Sequence, residues 1–245
     1  MARQCNRPPP PREPETPGNG VTFQVKRPFR DSLPGLAVWL VFPILIASLC
    51  LVLYRPALNH GVVLDDRPYV FENPYLATGA SFQYPLNLAT FVLSARQLDV
   101  MPDLTLNFVM RPLTYATFPG HRHFCGNEPA SYRLLNLAIH GANGVLVFWL
   151  GLLLGRRDQQ GVSVWRRTAG PLLAALLFTA HPMATESVTY ITQRFESLAA
   201  LFCLLAFLVW HGHEQSASPV TRWMRRTLAA GLVLGAMLSK ETGVV

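Results

Sequence analysis

Two adjacent carboxylates are the first feature of the sequence that could do chemistry. Asp65 and Asp66 stand in the run Gly61-Val-Val-Leu-Asp-Asp-Arg-Pro, shortly after a long apolar segment. One carboxylate of such a pair can act as a general base while its neighbour orients it, or the two can bind a divalent cation. The alternative is a turn in which the aspartates bond to their own backbone.

A second group of polar residues follows His181. If the proline after His181 begins a helix, then Glu186, Tyr190 and Arg194 recur every four residues and share one face. Arg194 could then donate two parallel hydrogen bonds to a phosphate. The alternative for Arg194 is an ion pair with Glu186 or Glu196. His181 itself should end the preceding helix, because a residue before proline is pushed out of the helical region.

Further polar residues lie within or at the end of apolar segments. His140 and Asn143 stand inside one such segment, where polar groups usually face protein or a water-filled cavity. Hydrogen bonding between helices is their ordinary role. Lys240 ends another apolar segment beside Glu241. A Lys–Glu ion pair at this point is one interpretation, and contact between Lys240 and a ligand phosphate is the other.

The elements that must position these residues are apolar helices. Hydrophobic residues make up 50% of the 245 residues and charged residues 14%, a balance that is rare in a soluble domain. Segments 33–54 and 134–154 carry no charge and are long enough to cross a bilayer core, which needs about 20 helical residues. Shorter apolar blocks at 169–181, 197–210 and 227–239 can cross if polar flanks continue the helix. We predict an all-α, polytopic transmembrane helical bundle with about five spans.

The remaining segments divide the chain into a tail and a membrane domain. Residues 1–32 are rich in proline, which predicts a disordered cytoplasmic tail. The first apolar stretch begins too late and is too long for a cleavable signal peptide. Residues 33–245 form the membrane domain, with a long outer loop at 55–133. The chain is expected to be the N-terminal part of a longer protein.

The distribution of basic residues predicts which segments face the cytoplasm. Arginines cluster in the tail, in the connector 155–168 and in the connector 211–226. Cytoplasmic segments carry such an excess, so the N-terminus should be cytoplasmic, and the aspartate pair and segment 182–196 should lie outside. The net charge of +7 comes from basic residues beside apolar segments, and this distribution argues against a nucleic-acid partner. The four cysteines form no CxxC pair and predict no disulfide framework.

Five runs occur in the order found in one known family. They are Leu64-Asp-Asp-Arg-Pro, Arg111-Pro-Leu-Thr-Tyr, Tyr132-Arg-Leu-Leu-Asn, His181-Pro-Met-Ala-Thr-Glu and Leu238-Ser-Lys-Glu-Thr. With the predicted topology, they resemble the membrane half of the transmembrane and tetratricopeptide-repeat O-mannosyltransferases, and in particular their bacterial relatives. The resemblance runs from about residue 33 to the end. No 34-residue repeat is present in the chain itself.

This resemblance implies a GT-C glycosyltransferase fold with its active site on the lumenal or periplasmic side. The implied donor is a sugar, typically mannose, on polyprenyl or dolichyl phosphate, and the implied acceptor is Ser or Thr of a protein. Asp65 or Asp66 would deprotonate the acceptor hydroxyl. Arg111, Arg194 and Lys240 would be candidates to offset the charge of the departing phosphate.

Four more residues are candidates for binding donor or substrate: His140, His181, Glu186 and Glu241. No cofactor is assigned, and a divalent cation is left open. A bacterial inner membrane is favoured, or the endoplasmic reticulum membrane for a eukaryotic source; membrane lipid is a further partner. The chain shown could be inactive without the rest of the protein. The alternatives are a non-catalytic membrane scaffold and a transporter.

Overall fold

A computed structural model describes residues 37–73, 76, 102–155, 163–213 and 218–241. These residues form helices and connecting turns, and no strand occurs among them. The prediction of an all-α fold is therefore confirmed. The predicted tail, residues 1–32, and residues 77–101 of the predicted outer loop lie outside the described residues.

The described chain is organised by eight α-helices, which we number in chain order. They are α1 (Phe42–Tyr54), α2 (Pro102–Met110), α3 (Pro112–Cys125), α4 (Pro129–Leu154), α5 (Val164–Ala180), α6 (Ala184–Thr189), α7 (Arg194–His213) and α8 (Pro219–Ser239). Single helical turns of other types accompany them at Ala37–Val41, Arg55–Asn59, Arg67–Phe71 and Ile191–Gln193. The predicted outer loop thus contains two helices of its own, α2 and α3.

Three helical stretches are long and apolar enough to cross a membrane: Val38–Asn59, Pro129–Leu154 and Ile191–His211. Only 28% of the most apolar part of the first stretch is buried, so most of its side chains face outward, where lipid would cover them. The chain is thus an integral membrane protein. The predicted number of about five spans is not reached among the described residues. Helix α5 has 17 residues, and α8 carries Arg222, Arg225 and Arg226 in its first half.

Successive long helices run in opposite directions. The C-terminal ends of α1, α5 and α8 therefore lie at the same end of the bundle as the N-terminal ends of α4 and α7. The Tyr54 hydroxyl, at the end of α1, donates to the carbonyl of Thr179 near the end of α5 at 2.8 Å. The Thr114 hydroxyl of α3 donates to the carbonyl of Ser239, at the end of α8, at 3.2 Å. Helices α4 and α7 begin at this same end, which also holds Asp66 and which we call the Asp66 end. The side of the membrane that this end faces stays a prediction.

Helices α4 and α5 pack closely through a glycine. A Cβ placed on Gly151 would lie 2.9 Å from the Cβ and 3.1 Å from the Cα of Pro171, closer than side chains pack. Phe42, Ile46 and Phe148 form a buried cluster beside this contact and hold α1 against both helices. Interfaces between membrane helices favour such small residues because they let backbones approach.

The helix that follows α5 is interrupted. Helix α5 ends at Ala180 and His181 is extended, as predicted from the proline that follows it. However, α6 ends at Thr189, and Tyr190 is extended with φ −85° and ψ 123°. The prediction that Glu186, Tyr190 and Arg194 share one helical face is therefore wrong. Glu186 lies on α6, Tyr190 lies in the break, and Arg194 begins α7.

Asn136 of α4 holds this break in place. Its Nδ2 donates to the carbonyls of Tyr190 at 3.0 Å and Ile191 at 3.3 Å. Its Oδ1 accepts from Nε of Arg194 at 3.0 Å. Buried carbonyls at an interrupted helix need partners from elsewhere in the protein. A side chain 54 positions away from Tyr190 thus decides the local geometry that residue spacing did not predict.

Candidate functional site

The two aspartates occupy one turn, residues 63–66, which we call the aspartate turn, but they have different surroundings. The carbonyl of Val63 accepts from the amide of Asp66 at 2.8 Å, which closes the turn. Leu64 has φ 35°, in the left-handed region that is strained for a branched side chain. Asp65 is exposed, whereas Asp66 is fully buried. Backbone strain of this kind is often kept where it serves function.

The buried carboxylate of Asp66 is bound by the helix break. Its Oδ1 accepts from the amide of Thr192 at 2.9 Å and from the hydroxyl of Thr192 at 3.2 Å. Its Oδ2 is buried and accepts no hydrogen bond from the described residues. Burial raises the pKa of Asp66, while the bonds from Thr192 and the positive charge of Arg133 act against that rise. Asp66 thus ties the turn to the segment between α6 and α7.

Arg133 of α4 was not predicted as a site residue, yet it joins the same two segments. Its Nε donates to the carbonyl of Thr189 at 2.8 Å, and its two terminal nitrogens donate to the carbonyls of His60 and Gly61. The side chain is fully buried. The signal for it was in the sequence, because Arg133 stands at helical spacing from Asn136, His140 and Asn143 on one face of α4.

Arg194 is fully buried at the start of α7. Its guanidinium donates to the carbonyl of Tyr132 at 3.2 Å and lies 4.7 Å from the ring centroid of Phe118. Neither Glu186 nor Glu196 contacts it among the described residues, so the predicted ion pair is wrong. The reason is the helix break, which turns Glu186 outward. Binding of phosphate by Arg194 stays a prediction.

Arg111 and Glu241 form a bidentate ion pair at the Asp66 end. Nε of Arg111 lies 2.9 Å from Oε2, and Nη2 lies 2.5 Å from Oε1. The guanidinium also lies 5.0 Å from the ring centroid of Phe195. The hydrogen bond from Arg111 lowers the pKa of Glu241 to about 2, so the carboxylate stays ionised at neutral pH. The side chain of Arg111 is 17% exposed and so borders on solvent.

Lys240 pairs with Glu196 of α7 and not with Glu241 beside it. The predicted Lys240–Glu241 pair is therefore wrong in its partner. Lys240 follows the end of α8 in an extended conformation, and Glu241 is already taken by Arg111. Two ion pairs thus stand side by side along the start of α7. Both cations lie at the end of the bundle that holds the aspartate turn.

The other predicted residues divide between the interior and the surface. His140 is buried, and its Nε2 lies 3.2 Å from the carbonyl of Thr179, with its ring stacked on Phe178. Its observed role is hydrogen bonding between helices. His181 is exposed, and its Nδ1 accepts from the amide of Met183 at 3.2 Å. Glu186 is exposed at the same end.

A metal site is not evident in the described part of the chain. No three side chains of His, Cys, Asp or Glu cluster there as ligands to a metal would. Cys50, Cys125 and Cys203 are free thiols. A divalent cation at the aspartate turn stays a prediction.

Several proteins are similar to this chain, and all three described here are named protein O-mannosyl-transferases. Protein O-mannosyl-transferase TMTC4 of Mus musculus is 33% identical over 144 residues, which are 55% of this chain and 19% of that protein. Protein O-mannosyl-transferase TMTC3 of Mus musculus is 29% identical over 201 residues, 82% of this chain and 20% of that protein. Tmtc1 of Drosophila melanogaster, named in the same way, is 29% identical over 198 residues, 81% of this chain and 21% of that protein.

The similarity is confined to one part of these relatives. The chain spans about a fifth of the length of the curated proteins it matches. No protein-family model matches the chain. No solved structure matches it either. The chain is thus similar to protein O-mannosyl-transferases of the TMTC group over 55% to 82% of its own length.

Proposed function

We propose that this protein is a glycosyltransferase that moves a sugar, mannose, from a polyprenyl- or dolichyl-phosphate donor to Ser or Thr of a protein acceptor. Transfer takes place on the non-cytoplasmic side of the membrane. The names of the similar proteins support the reaction class. The observation that carries the proposal is the aspartate turn, which combines an exposed carboxylate with a buried one at an end of the bundle that also holds two cations.

We assign the two aspartates different roles. Asp65 is the general base, because it is exposed and can reach an acceptor hydroxyl. Asp66 orients the turn through Thr192. In the reaction, the hydroxyl proton passes to the Asp65 carboxylate while the hydroxyl oxygen bonds to the anomeric carbon of the sugar. The bond from that carbon to the phosphate oxygen breaks, and the lipid phosphate leaves with its electron pair, so the configuration inverts.

Arg111 and Lys240 are the residues that offset the charge of the leaving phosphate. Both lie at the Asp66 end, and their side chains are 17% and 18% exposed. In the structure, Arg111 pairs with Glu241 and Lys240 pairs with Glu196. Preorganised cations near a departing anion stabilise it more than water does, because they need no reorganisation during the reaction.

The membrane setting of the proposal follows the charge pattern. We propose a GT-C fold in which α5 and α8 cross the membrane together with the three candidate spans. The N-terminus is cytoplasmic, so the Asp66 end faces the periplasm or the lumen of the endoplasmic reticulum. A bacterial inner membrane is the setting favoured by the motifs, whereas the similar mouse and fly proteins come from animals.

The test uses the full-length protein, purified with lipid-linked mannose and an acceptor peptide that contains Ser and Thr. Asp65→Asn should lower the rate of transfer at least about 100-fold, as loss of a general base does. Glu72→Gln is the control, because Glu72 is exposed and pairs with Arg67; transfer should stay within about twofold of wild type. Unchanged transfer in Asp65→Asn would reject the mechanism. Absence of transfer by the wild type would favour a membrane scaffold.

A further inference from the structure

A buried arginine outside the proposed chemistry joins the two segments that form the site. Arg133 is fully buried, and its partners among the described residues are main-chain carbonyls. They belong to His60 and Gly61 on one segment and to Thr189 on the other. Burial of a guanidinium without a carboxylate bonded to it is costly, and in the described part of the chain no acidic group lies within ion-pair distance of Arg133. Arg133 instead uses its donors on main-chain carbonyls of both segments and lies near enough to Asp66 for their charges to interact.

The position of these carbonyls indicates what Arg133 does. His60 and Gly61 come shortly before the turn that carries Asp65, and Thr189 comes directly before the break that carries Thr192. Thr192 in turn binds Asp66 at 2.9 Å through its amide. Two sets of hydrogen bonds therefore join the two segments. Arg133 bonds the residues just before the aspartate turn, and Asp66 bonds from within the turn. Helix α4 supplies the rigid support, since Asn136 binds the same break one turn further along.

We infer that Arg133 is a positioning residue for the transfer reaction: its guanidinium holds the aspartate turn against the break between α6 and α7 and thereby fixes where Asp65 stands. The expected effect on rate rests on the proposed function, whereas the structural role, in which Arg133 holds the aspartate turn against the break, does not. Arg133 touches neither substrate nor the reacting atoms. A misplacement of about 1 Å in a reacting group can lower a rate about 100-fold.

The first experiment measures transfer by the full-length protein with Arg133→Lys, which keeps the charge but offers one nitrogen where three were used. We expect kcat to fall about 10- to 100-fold while KM for the lipid-linked donor changes less than about twofold. Arg133→Gln is the second variant, to be used if Arg133→Lys assembles poorly. We expect it to lower kcat over the same range. A properly assembled variant with unchanged kcat would overturn the inference.

The matched control is Asn143→Ala, further along the same helix. Asn143 is also buried and also donates to a main-chain carbonyl, that of Ser197, at 3.0 Å. Its contact lies away from the aspartate turn. The substitution should lower the melting temperature without changing kcat more than about threefold. If both variants lowered kcat in proportion to stability, Arg133 would be a structural residue only, and the inference would be wrong.

A second measurement is independent of activity. In a background without the native cysteines, Asp65→Cys is labelled with a thiol reagent in three proteins: one with Arg133 intact, one with Arg133→Lys and one with Asn143→Ala. We expect Arg133→Lys to change the labelling rate at least about fivefold and Asn143→Ala to leave it unchanged. An equal rate in all three proteins would overturn the inference. Failure of the proposed function is recognised separately, by full transfer in Asp65→Asn together with a labelling rate that still depends on Arg133.

Discussion

At the scale of single residues, the aspartate turn separates two carboxylates that are adjacent in sequence. The strained backbone at Leu64 leaves Asp65 exposed and turns Asp66 into the protein. Asp66 then satisfies two donors of Thr192, and its buried Oδ2 has no hydrogen-bond partner in the described part of the chain. The turn therefore presents one carboxylate to solvent and uses the other to bind the segment between α6 and α7, which is the arrangement behind the roles proposed for Asp65 and Asp66.

The contribution of Asp66 to stability can be measured directly. Asp66→Ala should lower the free energy of unfolding by about 1–3 kcal/mol, because the amide and hydroxyl of Thr192 lose their acceptor inside the protein. Asp65→Ala should change it by less than about 0.5 kcal/mol, because Asp65 is exposed. Thermal unfolding in detergent compares the two variants. Equal losses in both would show that Asp66 does not hold the turn.

His121 of α3 makes stability depend on pH. Its Nε2 lies 2.9 Å from the hydroxyl of Ser131, and its ring packs on Tyr132. Burial and the nearby charge of Arg194 lower the pKa of His121 to about 4. The unfolded chain binds a proton near pH 6.5, so the stability is present above that pH and is lost as pH falls from about 6.5 to about 4.

The measurement is the melting temperature of the wild type and of His121→Gln across this pH range. The wild type should lose up to about 3 kcal/mol between pH 7 and pH 4 through this histidine. The glutamine variant should lose less over the same range. A slope that His121→Gln leaves unchanged would show that other groups cause the loss.

At the scale of helices, one face of α4 joins the neighbouring helices and turns of the bundle, and its first residues do so at the Asp66 end. Arg133, Asn136, His140 and Asn143 follow one another along this face, and each donates to a main-chain carbonyl or, for His140, contacts one. These carbonyls belong to the turn before Asp65, the break after α6, and helices α5 and α7. Arg133, Asn136 and His140 thus supply partners to carbonyls at turns, breaks or helix ends, where backbone buried in a membrane protein lacks regular hydrogen bonds.

Asn136 provides the test of this role. Asn136→Leu should lower the free energy of unfolding by about 2–4 kcal/mol, because two carbonyls at the break and the buried Arg194 lose a partner together. Leu134→Ala is the control on the same helix, since Leu134 is 53% exposed. Leu134→Ala should lower the free energy of unfolding much less than Asn136→Leu does. A loss in Asn136→Leu no larger than in the control would show that the break does not depend on α4.

The sequence predicts the long elements well and the short connections poorly. Charge-free segments predicted the helices at α1 and α4, and the proline after His181 predicted the end of α5, since both follow from local chemistry. The break at Tyr190 was missed because Asn136, far away in the chain, makes it favourable. The partner of Lys240 was missed for the same reason, since Glu196 lies on another helix. The sequence identifies Asp65 and Asp66 as a pair of carboxylates. It does not predict that Asp66 is buried while Asp65 is exposed, and the roles proposed for them depend on that difference.

At the scale of the whole molecule, antiparallel helices bring residues from distant parts of the chain to one end. Asp65 follows α1, Arg111 precedes α3, Glu186 lies in α6 and Lys240 follows α8. The contacts of the described residues place them all at the Asp66 end. We propose that this end faces away from the cytoplasm, on the side where a lipid-linked sugar and an acceptor protein would meet.

Cysteine labelling in intact membranes tests that claim most directly. Single cysteines at positions 65, 186 and 166, in a background without the native cysteines, are treated with a thiol reagent that does not cross membranes. We predict that Asp65→Cys and Glu186→Cys react from the non-cytoplasmic side, and that Arg166→Cys, at the opposite end, reacts only after the membrane is opened. Labelling of positions 65 and 186 from opposite sides, or of both from the cytoplasm, would contradict the claim.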